Sequence, residues 1–226
     1  MAYLAYILRK ITQNPGRAAL SAVKYVTEFR LDRQIGISTF RRDFVPPTSA
    51  SGDSRPCQPA PYRVLIDIAA HMQATGFPLR SFVDVGCGAG RPLAYFSSLG
   101  FDRMVGIEIN PDVAEGARQN IGQIKRTWNR AGRIDILTAD ILTAEIDLTG
   151  SIIYLANPFG RTTMQAFAAK LKAQLQARPD RGVLLYYVLP LQVEALVEAF
   201  PRAERQIAGG LEAWQFFRLD AASGNP

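Results

Sequence analysis

The sequence has little of the two residue types that most often build metal sites and catalytic dyads: two cysteines, Cys57 and Cys87, and one histidine, His71. Two cysteines form no disulfide framework, and a reducing compartment fits as well as any other. Neither C-x-x-C nor H-x-x-x-H spacing occurs, so these residues alone cannot hold zinc, and we expect no metal. A Ser-His-Asp site would need His71, whose apolar surroundings favour a half-exposed helical histidine. Metallohydrolase and serine-hydrolase functions are excluded.

Long apolar runs are also missing. No segment reaches the roughly 18–20 uninterrupted apolar residues that a membrane-spanning helix requires. The apolar stretch 1–8 precedes the basic pair Arg9-Lys10, which is the reverse of the order in a secretory signal. We therefore expect a cytoplasmic protein with no transmembrane segment.

What the sequence does have is an uneven basic charge. The net charge is +6 over 226 residues; residues 1–60 hold nine Lys/Arg against four acids (+5), and the other 166 hold 17 against 16 (+1). The sheet-forming part is thus nearly neutral, which makes the net charge weak support for a nucleic-acid partner. Residues 1–34 are the place where a peripheral contact with an anionic surface is expected.

The first 60 residues are predicted to be a helical extension followed by a proline-rich connection. One helix is expected over about Ala2–Gln13, and a second from Asn14-Pro15 to about Gln34. The apolar face of the second helix is predicted to comprise Leu20, Val23, Tyr25, Val26 and Phe29. Residues 35–60 contain Pro46, Pro47, Pro56 and Pro59, and both an ordered lid and a mobile linker are open interpretations.

From residue 61 onward, strands and helices alternate. A helix from Pro61 carries Val64, Leu65, Ile68 and Met72 on one side. Strands are predicted at Ser81–Val85, Met104–Ile109, Ile134–Leu137, Ser151–Ala156, Gly182–Leu189, Ala203–Ala208 and Glu212–Leu219. Helices are predicted at Arg91–Leu99, Pro111–Trp128, Thr162–Ala177 and Leu191–Phe200. This pattern indicates an α/β fold: a doubly wound, mostly parallel, seven-stranded sheet with an antiparallel C-terminal hairpin, in a domain spanning 61–226, after an extension spanning 1–60.

The main functional signal is Asp84-Val-Gly86-Cys87-Gly88-Ala-Gly90-Arg91, where a strand ends in an acid and a glycine loop leads into a helix. In a doubly wound sheet, a nucleotide-like ligand lies at this turn. The spacing is G-x-G-x-G rather than G-x-G-x-x-G, because Arg91 stands at the last position. A carboxylate ahead of the loop suits a ligand that carries an ammonium group.

Two further acids follow the next two strands. Glu108, with Ile109 beside it, is 22 residues beyond Gly86, where a carboxylate can accept hydrogen bonds from both ribose hydroxyls; this fits NAD and S-adenosylmethionine equally. Asp140 is placed to accept a hydrogen bond from an adenine amino group, while Ile141 packs on the adenine ring. The alternative for Asp140 is a solvated loop residue.

The fourth signal, Asn157-Pro158-Phe159-Gly160, ends the fourth strand. Asn157 would face the reacting centre, because its carbonyl oxygens accept hydrogen bonds from a substrate N–H group. Phe159 would stack on a planar or cationic substrate. A capped turn into the next helix is an equally weighted alternative.

In this order and spacing, the motifs resemble those of class I, seven-stranded S-adenosylmethionine-dependent methyltransferases over residues 61–219. The Asn157 turn looks like a shortened N-P-P-[YF] motif of amino-methylating members, with one proline fewer. The stretches Arg30-Leu-Asp-Arg-Gln-Ile-Gly-Ile and Pro59-Ala-Pro-Tyr62 resemble bacterial methyltransferase-like proteins of unassigned substrate. A proline-rich segment ahead of the loop is similar, more loosely, to some protein-lysine methyltransferases.

The resemblance implies the cofactor S-adenosylmethionine and roles for the matching residues. Asp84, Gly86, Cys87, Gly88 and Gly90 would surround its methionine and ribose, Glu108 and Ile109 the ribose, and Asp140 and Ile141 the adenine. Asn157 would contact cofactor and substrate, as the one candidate catalytic residue, and closure of residues 35–62 would bring Tyr62 near the cofactor. The expected function is methyl transfer to an unidentified acceptor, with an amine of a protein side chain or small molecule as a candidate. The alternatives are an NAD-dependent oxidoreductase and a non-catalytic ligand-binding protein tethered by residues 1–34.

Overall fold

In the computed structural model, residues 26–39, 59–208 and 213–224 are described, and seven strands form one sheet with helices on both faces. The helices are α1 (26–35), α2 (Tyr62–Ala74), α3 (Arg91–Phe96), α4 (Pro111–Gln123), α5 (Arg161–Ala177) and α6 (Val193–Ala199). The strands are β1 (Ser81–Val85), β2 (Arg103–Glu108), β3 (Arg133–Thr138), β4 (Ser151–Ala156), β5 (Val183–Val188), β6 (Glu204–Ala208) and β7 (Trp214–Leu219). Short 3-10 turns follow α3 and β7, at Ser97–Leu99 and Ala222–Gly224.

The strand order is β3-β2-β1-β4-β5-β7-β6. The strands from β3 to β5 are parallel, and β7 runs antiparallel to both of its neighbours, β5 and β6. The predicted fold class is therefore confirmed, including the antiparallel final pair. Because the carboxyl ends of β1 to β5 meet at one edge of the sheet, the loops that follow these strands are neighbours there.

The predicted bounds of the elements agree closely with the structure except at the end of α4. The helix predicted over Pro111–Trp128 ends at Gln123, because Ile124 leaves the helical region with a ψ of 128°. The Lys125 amide then donates to the Ile35 carbonyl at 2.8 Å. The Trp128 ring nitrogen donates to the Ala94 carbonyl at 3.0 Å. Contacts with α1 and α3 thus replace the last turn of the helix.

The sheet separates two apolar clusters. The first cluster lies on the side of α2, α3 and α4 and includes Phe82, Phe96 and Tyr154. The second cluster lies on the side of α5 and α6 and includes Val83 and Val85. Successive strand residues face opposite sides, so Asp84 faces the first cluster with Phe82. A carboxylate therefore points into an apolar layer.

The apolar face predicted for the second helix is wrong where the structure describes it. Val26 and Phe29 are 50% and 60% exposed, whereas Glu28 and Asp32 are buried with Ile35. The reason is the buried Arg91, which pairs with both acids. Leu20, Val23 and Tyr25 of the predicted face lie outside the described residues.

Other expectations for the first 60 residues also lie outside the described residues. These are the first helix and residues 40–58 of the proline-rich connection, including Cys57. The choice between lid and linker, and the division into 1–60 and 61–226, stay predictions. Within the described ranges, no helix has the length and apolarity to cross a membrane.

Candidate active site

The loop between β1 and α3 is a left-handed glycine loop held against β2. Gly86, Gly88 and Gly90 have φ angles of 73°, 54° and 79°. The amides of Gly86 and Cys87 donate to the Ile107 carbonyl at 2.8 and 3.0 Å. A Cβ atom on Gly86 would lie 2.5 Å from Cβ of Pro158. Gly86 therefore lets the turn after β4 lie directly against the loop, where no larger residue fits.

Cys87 is buried within this loop, with its side chain toward Gly106. Its sulfur atom occupies the space where a Cβ atom on Gly106 would lie. Any contact that Cys87 makes with a ligand in this loop would come from its backbone.

Glu108 ends β2 and is tied to the loop by both carboxylate oxygens. Its Oε2 accepts from the Gly88 amide at 3.0 Å, and its Oε1 accepts from the Asn110 amide at 2.9 Å. Burial raises the pKa of Glu108, and the amide donors, which include Ile109, limit that rise. Each oxygen keeps lone-pair capacity for a second donor, so two neighbouring hydroxyl groups can bind here.

Asp84 is the most deeply buried of the predicted site residues. It is 1% exposed, and it lies opposite Gly106 of β2 and Tyr154 of β4. No hydrogen-bond partner reaches its Oδ2 atom. Burial, followed by the nearby charge of Glu108, raises the pKa of Asp84 well above its ordinary value. A cation that reached this oxygen would be held strongly.

The loop after β3 is a tight turn held by a lysine that sequence reasoning missed. Asp140 Oδ1 accepts from the Leu142 amide at 2.9 Å. The Lys170 ammonium of α5 donates to the carbonyls of Ile141 and Ala144 at 2.7 and 2.6 Å. Ile141 is buried in the second cluster. The turn adjoins the Glu108 loop, because the Ala139 amide donates to the Glu108 carbonyl at 3.0 Å.

Asn157 follows β4 in the left-handed region, with a φ of 48°. Its Oδ1 accepts from the Tyr187 hydroxyl at 3.3 Å, and that hydroxyl accepts from the Gln192 amide at 3.2 Å. The next helix, α5, begins after Gly160 with no side-chain cap. Asn157 therefore does not cap α5. Its side-chain amide is held instead by Tyr187 of β5.

The expected stacking role of Phe159 is wrong. The ring is buried in the second cluster, with its centroid 6.0 Å from that of Phe167. Because its neighbour Pro158 is held against Gly86, the chain turns Phe159 inward, where its apolar area stabilises α5 on the sheet. The aromatic residue of this motif belongs to the core.

Tyr62 lies in a buried cluster that the sequence did not indicate. Its hydroxyl donates to Asp32 Oδ1, and its ring centroid lies 4.7 Å from the Arg91 guanidinium carbon. Arg91 itself forms an ion pair with Glu28. These partners come from chain segments up to 63 residues apart, so no local motif could have found them. A contact of Tyr62 with the cofactor stays a prediction.

His71 is not part of this site. Its Nδ1 lies 2.9 Å from the Tyr186 hydroxyl, and its ring centroid lies 4.8 Å from that of Phe216. The half-buried helical histidine that the sequence indicated is thus observed, in contact with the first cluster. Among the described residues, no group of three or more His, Cys, Asp and Glu side chains is arranged to hold a metal.

The residues present fit S-adenosylmethionine. The unpartnered, buried Asp84 oxygen suits an ammonium group, and the Glu108 oxygens suit a pair of ribose hydroxyls. The loop between them has the left-handed φ angles that glycine adopts readily, so the backbone can turn tightly between the two acids. The individual contacts of these residues with the cofactor remain predictions.

Comparison with known proteins supports this assignment. A family model described as a methyltransferase domain matches residues 83–149, which run from the glycine loop through Glu108 and the Asp140 turn. Ribosomal protein L11 methyltransferase of Burkholderia multivorans is 31% identical over 108 residues, covering 44% of this chain and 36% of that protein. The protein of the same name from Burkholderia vietnamiensis is 29% identical over 114 residues, covering 47% and 38%. The chain thus spans just over a third of the length of these relatives.

Solved structures share the fold. A human methyltransferase 10 domain containing protein superposes with a TM-score of 0.53 at 16% identity, covering 89% of this chain and 97% of that one. The N-methyltransferase NodS from Bradyrhizobium japonicum has a TM-score of 0.50 at 16% identity, covering 70% and 94%. The glycopeptide N-methyltransferase MtfA, solved with S-adenosylmethionine, has a TM-score of 0.50 at 14% identity, covering 68% and 86%.

The strand order also decides between the two cofactors that Glu108 left open. The NAD-binding sheet has the order 3-2-1-4-5-6, without a reversed strand between the fifth and sixth. Here β7 occupies that place and runs antiparallel to both neighbours. The methyltransferase-domain model also matches residues 83–149, which carry the glycine loop, and both findings support a class I S-adenosylmethionine-dependent methyltransferase.

Proposed function

We propose that this protein transfers a methyl group from S-adenosylmethionine to the nitrogen of an amine that binds at the carboxyl ends of β4 and β5. The observation that carries the proposal is the packing of the Asn157-Pro158 turn on Gly86, where a Cβ atom would lie 2.5 Å from Pro158. This packing sets hydrogen-bond acceptors for a substrate beside the cofactor loop.

On the cofactor side, Asp84 would bind the ammonium group and Glu108 the ribose hydroxyls. Asp140 would contact the adenine, and Lys170 would position it by holding the 140–144 turn. When bound, S-adenosylmethionine supplies a methyl group that its sulfonium sulfur already activates. The chain therefore needs to align the acceptor and exclude water more than to transfer protons.

On the acceptor side, Asn157 would orient the amine. Tyr187 donates to Asn157 Oδ1, which fixes the side-chain amide and leaves the oxygen a second lone pair. An acceptor N–H group that donates to this oxygen would direct its own lone pair toward the methyl group. Orientation of this kind contributes a large share of the rate enhancement in two-substrate reactions.

Charge favours an amine over a phosphate-bearing acceptor. This edge of the sheet carries Asp84 near the end of β1, Glu108 at the end of β2 and Asp140 in the loop after β3. The nearest buried cation, Arg91, is already paired with Glu28 and Asp32. An edge rich in carboxylates attracts cationic groups and repels a nucleic-acid backbone.

The acceptor class is tested by transfer of labelled methyl into a fractionated cell lysate. We expect label as N-methyl amine in the protein or the small-molecule fraction, and much less label with a Glu108→Ala enzyme at a low concentration of S-adenosylmethionine. The matched relatives are named as ribosomal protein methyltransferases, so label in protein is the first arm to examine. Label in RNA alone, or on oxygen or carbon, would contradict the amine assignment.

Asn157→Gly tests the acceptor side separately, because glycine keeps the left-handed backbone while removing the amide. We expect kcat to fall by about 100-fold, in line with the loss of one orienting contact. Affinity for S-adenosylhomocysteine should stay within a factor of two, by calorimetry. An unchanged kcat would exclude Asn157 from the reaction.

A further inference from the structure

The glycine loop has a buried arginine at its exit. Arg91 is the first residue of α3 and directly follows Gly90, whose φ of 79° completes the loop. Its side chain is 2% exposed. A buried guanidinium is stable only when its charge is paired and its N–H groups are bonded, so its partners help to determine where the loop lies.

The partners of Arg91 come from the N-terminal part of the chain. Its Nη1 pairs with Glu28 and donates to the Ala60 carbonyl at 3.0 Å. Its Nε donates to the Thr39 hydroxyl at 2.7 Å and lies 3.6 Å from Asp32 Oδ1. The two acids carry a combined charge of −2 against +1, and both are buried.

The acids are themselves fixed by their neighbours. Asp32 Oδ2 accepts from the Thr39 amide and from the Thr39 hydroxyl, each at 2.8 Å. Glu28 Oε1 accepts from the Tyr62 amide at 2.9 Å. In this network each member bonds to at least two other residues, so that a change at one member shifts Arg91.

A second connection joins the same two regions. Asn120 of α4 donates to the Ala89 carbonyl of the glycine loop at 2.8 Å and to the Ser38 carbonyl at 3.2 Å. Its Oδ1 accepts from the Ser38 amide at 3.1 Å. Residues 28–39 therefore bond, through Arg91 and Asn120, to both residues that flank Gly90.

We propose that Glu28, Asp32 and Thr39 are positioning residues for the cofactor: acting through Arg91, they hold the glycine loop in its binding conformation. The two acids also offset the Arg91 charge, which would otherwise repel the positively charged S-adenosylmethionine. This proposal rests on the function proposed above, and it makes residues 28–39 part of the methyltransferase site.

The test is the affinity for S-adenosylhomocysteine, measured by calorimetry well below the unfolding temperature, for Glu28→Gln, Asp32→Asn and Thr39→Val. We expect the Kd to rise about tenfold or more for each acid variant, since displacement of binding groups by about 1 Å has effects of that size or larger. Amide hydrogen exchange in residues 86–90 should become faster. Thr39→Val, which removes one hydroxyl, should raise the Kd a few-fold.

Glu204→Gln is the matched control, because Glu204 and its partner Arg218 are both exposed and lie on β6 and β7, at the opposite side of the sheet from β2 and β3. Its Kd should stay within a factor of two. A purely structural role would lower thermal stability in the acid variants and leave the Kd unchanged, which would overturn the proposal. If neither acid variant folds, an unchanged Kd in Thr39→Val overturns it.

The two proposals fail in different ways. A wild-type chain that does not bind S-adenosylhomocysteine would contradict the proposed function, and this inference with it. A wild-type chain that binds, next to folded variants that bind equally well, would contradict this inference alone.

Discussion

Two pairs of buried carboxylates lie around the glycine loop, and they are satisfied in different ways. Glu28 and Asp32 share the buried guanidinium of Arg91. Glu108 accepts only backbone amides, and one oxygen of Asp84 has no partner at all. Among the residues that the structure describes, no ion pair involves Asp84 or Glu108.

The difference separates a pair that completes the fold from a pair that has capacity for a ligand. Burying a carboxylate without a cation costs free energy, so such a group is retained where something else supplies the charge. S-adenosylmethionine carries two positive centres, the ammonium and the sulfonium. Asp84 and Glu108 are therefore interpreted as ligand-binding residues, and Glu28 and Asp32 as residues that hold Arg91.

The largest effect on stability is expected when Glu28 and Asp32, the internally paired acids, lose the Arg91 cation. Arg91→Met would leave two buried carboxylates uncompensated, and the free energy of unfolding should fall by about 3–5 kcal/mol. Denaturant unfolding measures this directly. Arg161→Met, which breaks an exposed pair, should cost less than about 1 kcal/mol. Equal losses in the two variants would show that the buried Arg91 pairs contribute no more to stability than an exposed ion pair does.

The next effect concerns the ligand-binding pair. Glu108→Ala should weaken S-adenosylhomocysteine binding by about 1.5–3 kcal/mol for each charge-assisted hydrogen bond lost, or roughly 10- to 150-fold. Calorimetry gives the Kd. Glu115→Ala, an exposed acid on α4, is the control and should leave the Kd unchanged. Full affinity in Glu108→Ala would exclude this carboxylate from the site.

Asp84→Asn should move stability and binding in opposite directions. Because the pKa of Asp84 is raised in the folded chain, folding takes up a proton between the ordinary carboxyl range and that raised pKa. The free energy of unfolding therefore decreases as pH rises through this interval. The asparagine variant should lose this dependence, gain about 1 kcal/mol at neutral pH, and bind S-adenosylhomocysteine more weakly. Thermal unfolding across pH tests it, and a less stable Asp84→Asn chain at neutral pH would contradict it.

A smaller effect is expected at the adenine end. Lys170→Met would remove the hydrogen bonds to the carbonyls of the 141–144 turn. Each lost hydrogen bond should lower the stability of the turn by about 0.5–1.5 kcal/mol. The Kd for S-adenosylhomocysteine should rise a few-fold. Lys172→Met on the same helix is the control. If Lys170→Met had the same Kd as this control, the lysine would not be needed to hold the turn for cofactor binding.

The placement of Asp84 and Glu108 was predictable from sequence, because each residue sits at a fixed place relative to a local pattern. Asp84 ends an apolar strand before a glycine loop, and Glu108 ends the next strand. The alternation of strands and helices then brings both to one edge of the sheet. The reversed final pair was predictable for the same reason, since only Gly209-Gly210 separates two strand-like runs.

The internally paired acids were not predictable in this way. Arg91 lies 63 residues from Glu28, and the apolar periodicity of the N-terminal helix indicated Val26 and Phe29 as its buried face. Burial there follows from a long-range ion pair that outweighs the local pattern. Tertiary contacts also explain two other differences from the sequence prediction. Phe159 turns inward beside Pro158, which packs on Gly86. The helix α4 ends early where Lys125 and Trp128 bond to the carbonyls of Ile35 and Ala94.

The most direct test of the central distinction is calorimetric titration of S-adenosylhomocysteine in two buffers of different ionisation enthalpy, from acidic to neutral pH. The ammonium group should lower the raised pKa of Asp84, so binding should release a proton and affinity should rise with pH over that interval. Proton release should be absent in Asp84→Asn and present in Asp32→Asn. Binding without proton release in the wild type, or with equal release in Asp84→Asn, would contradict the account.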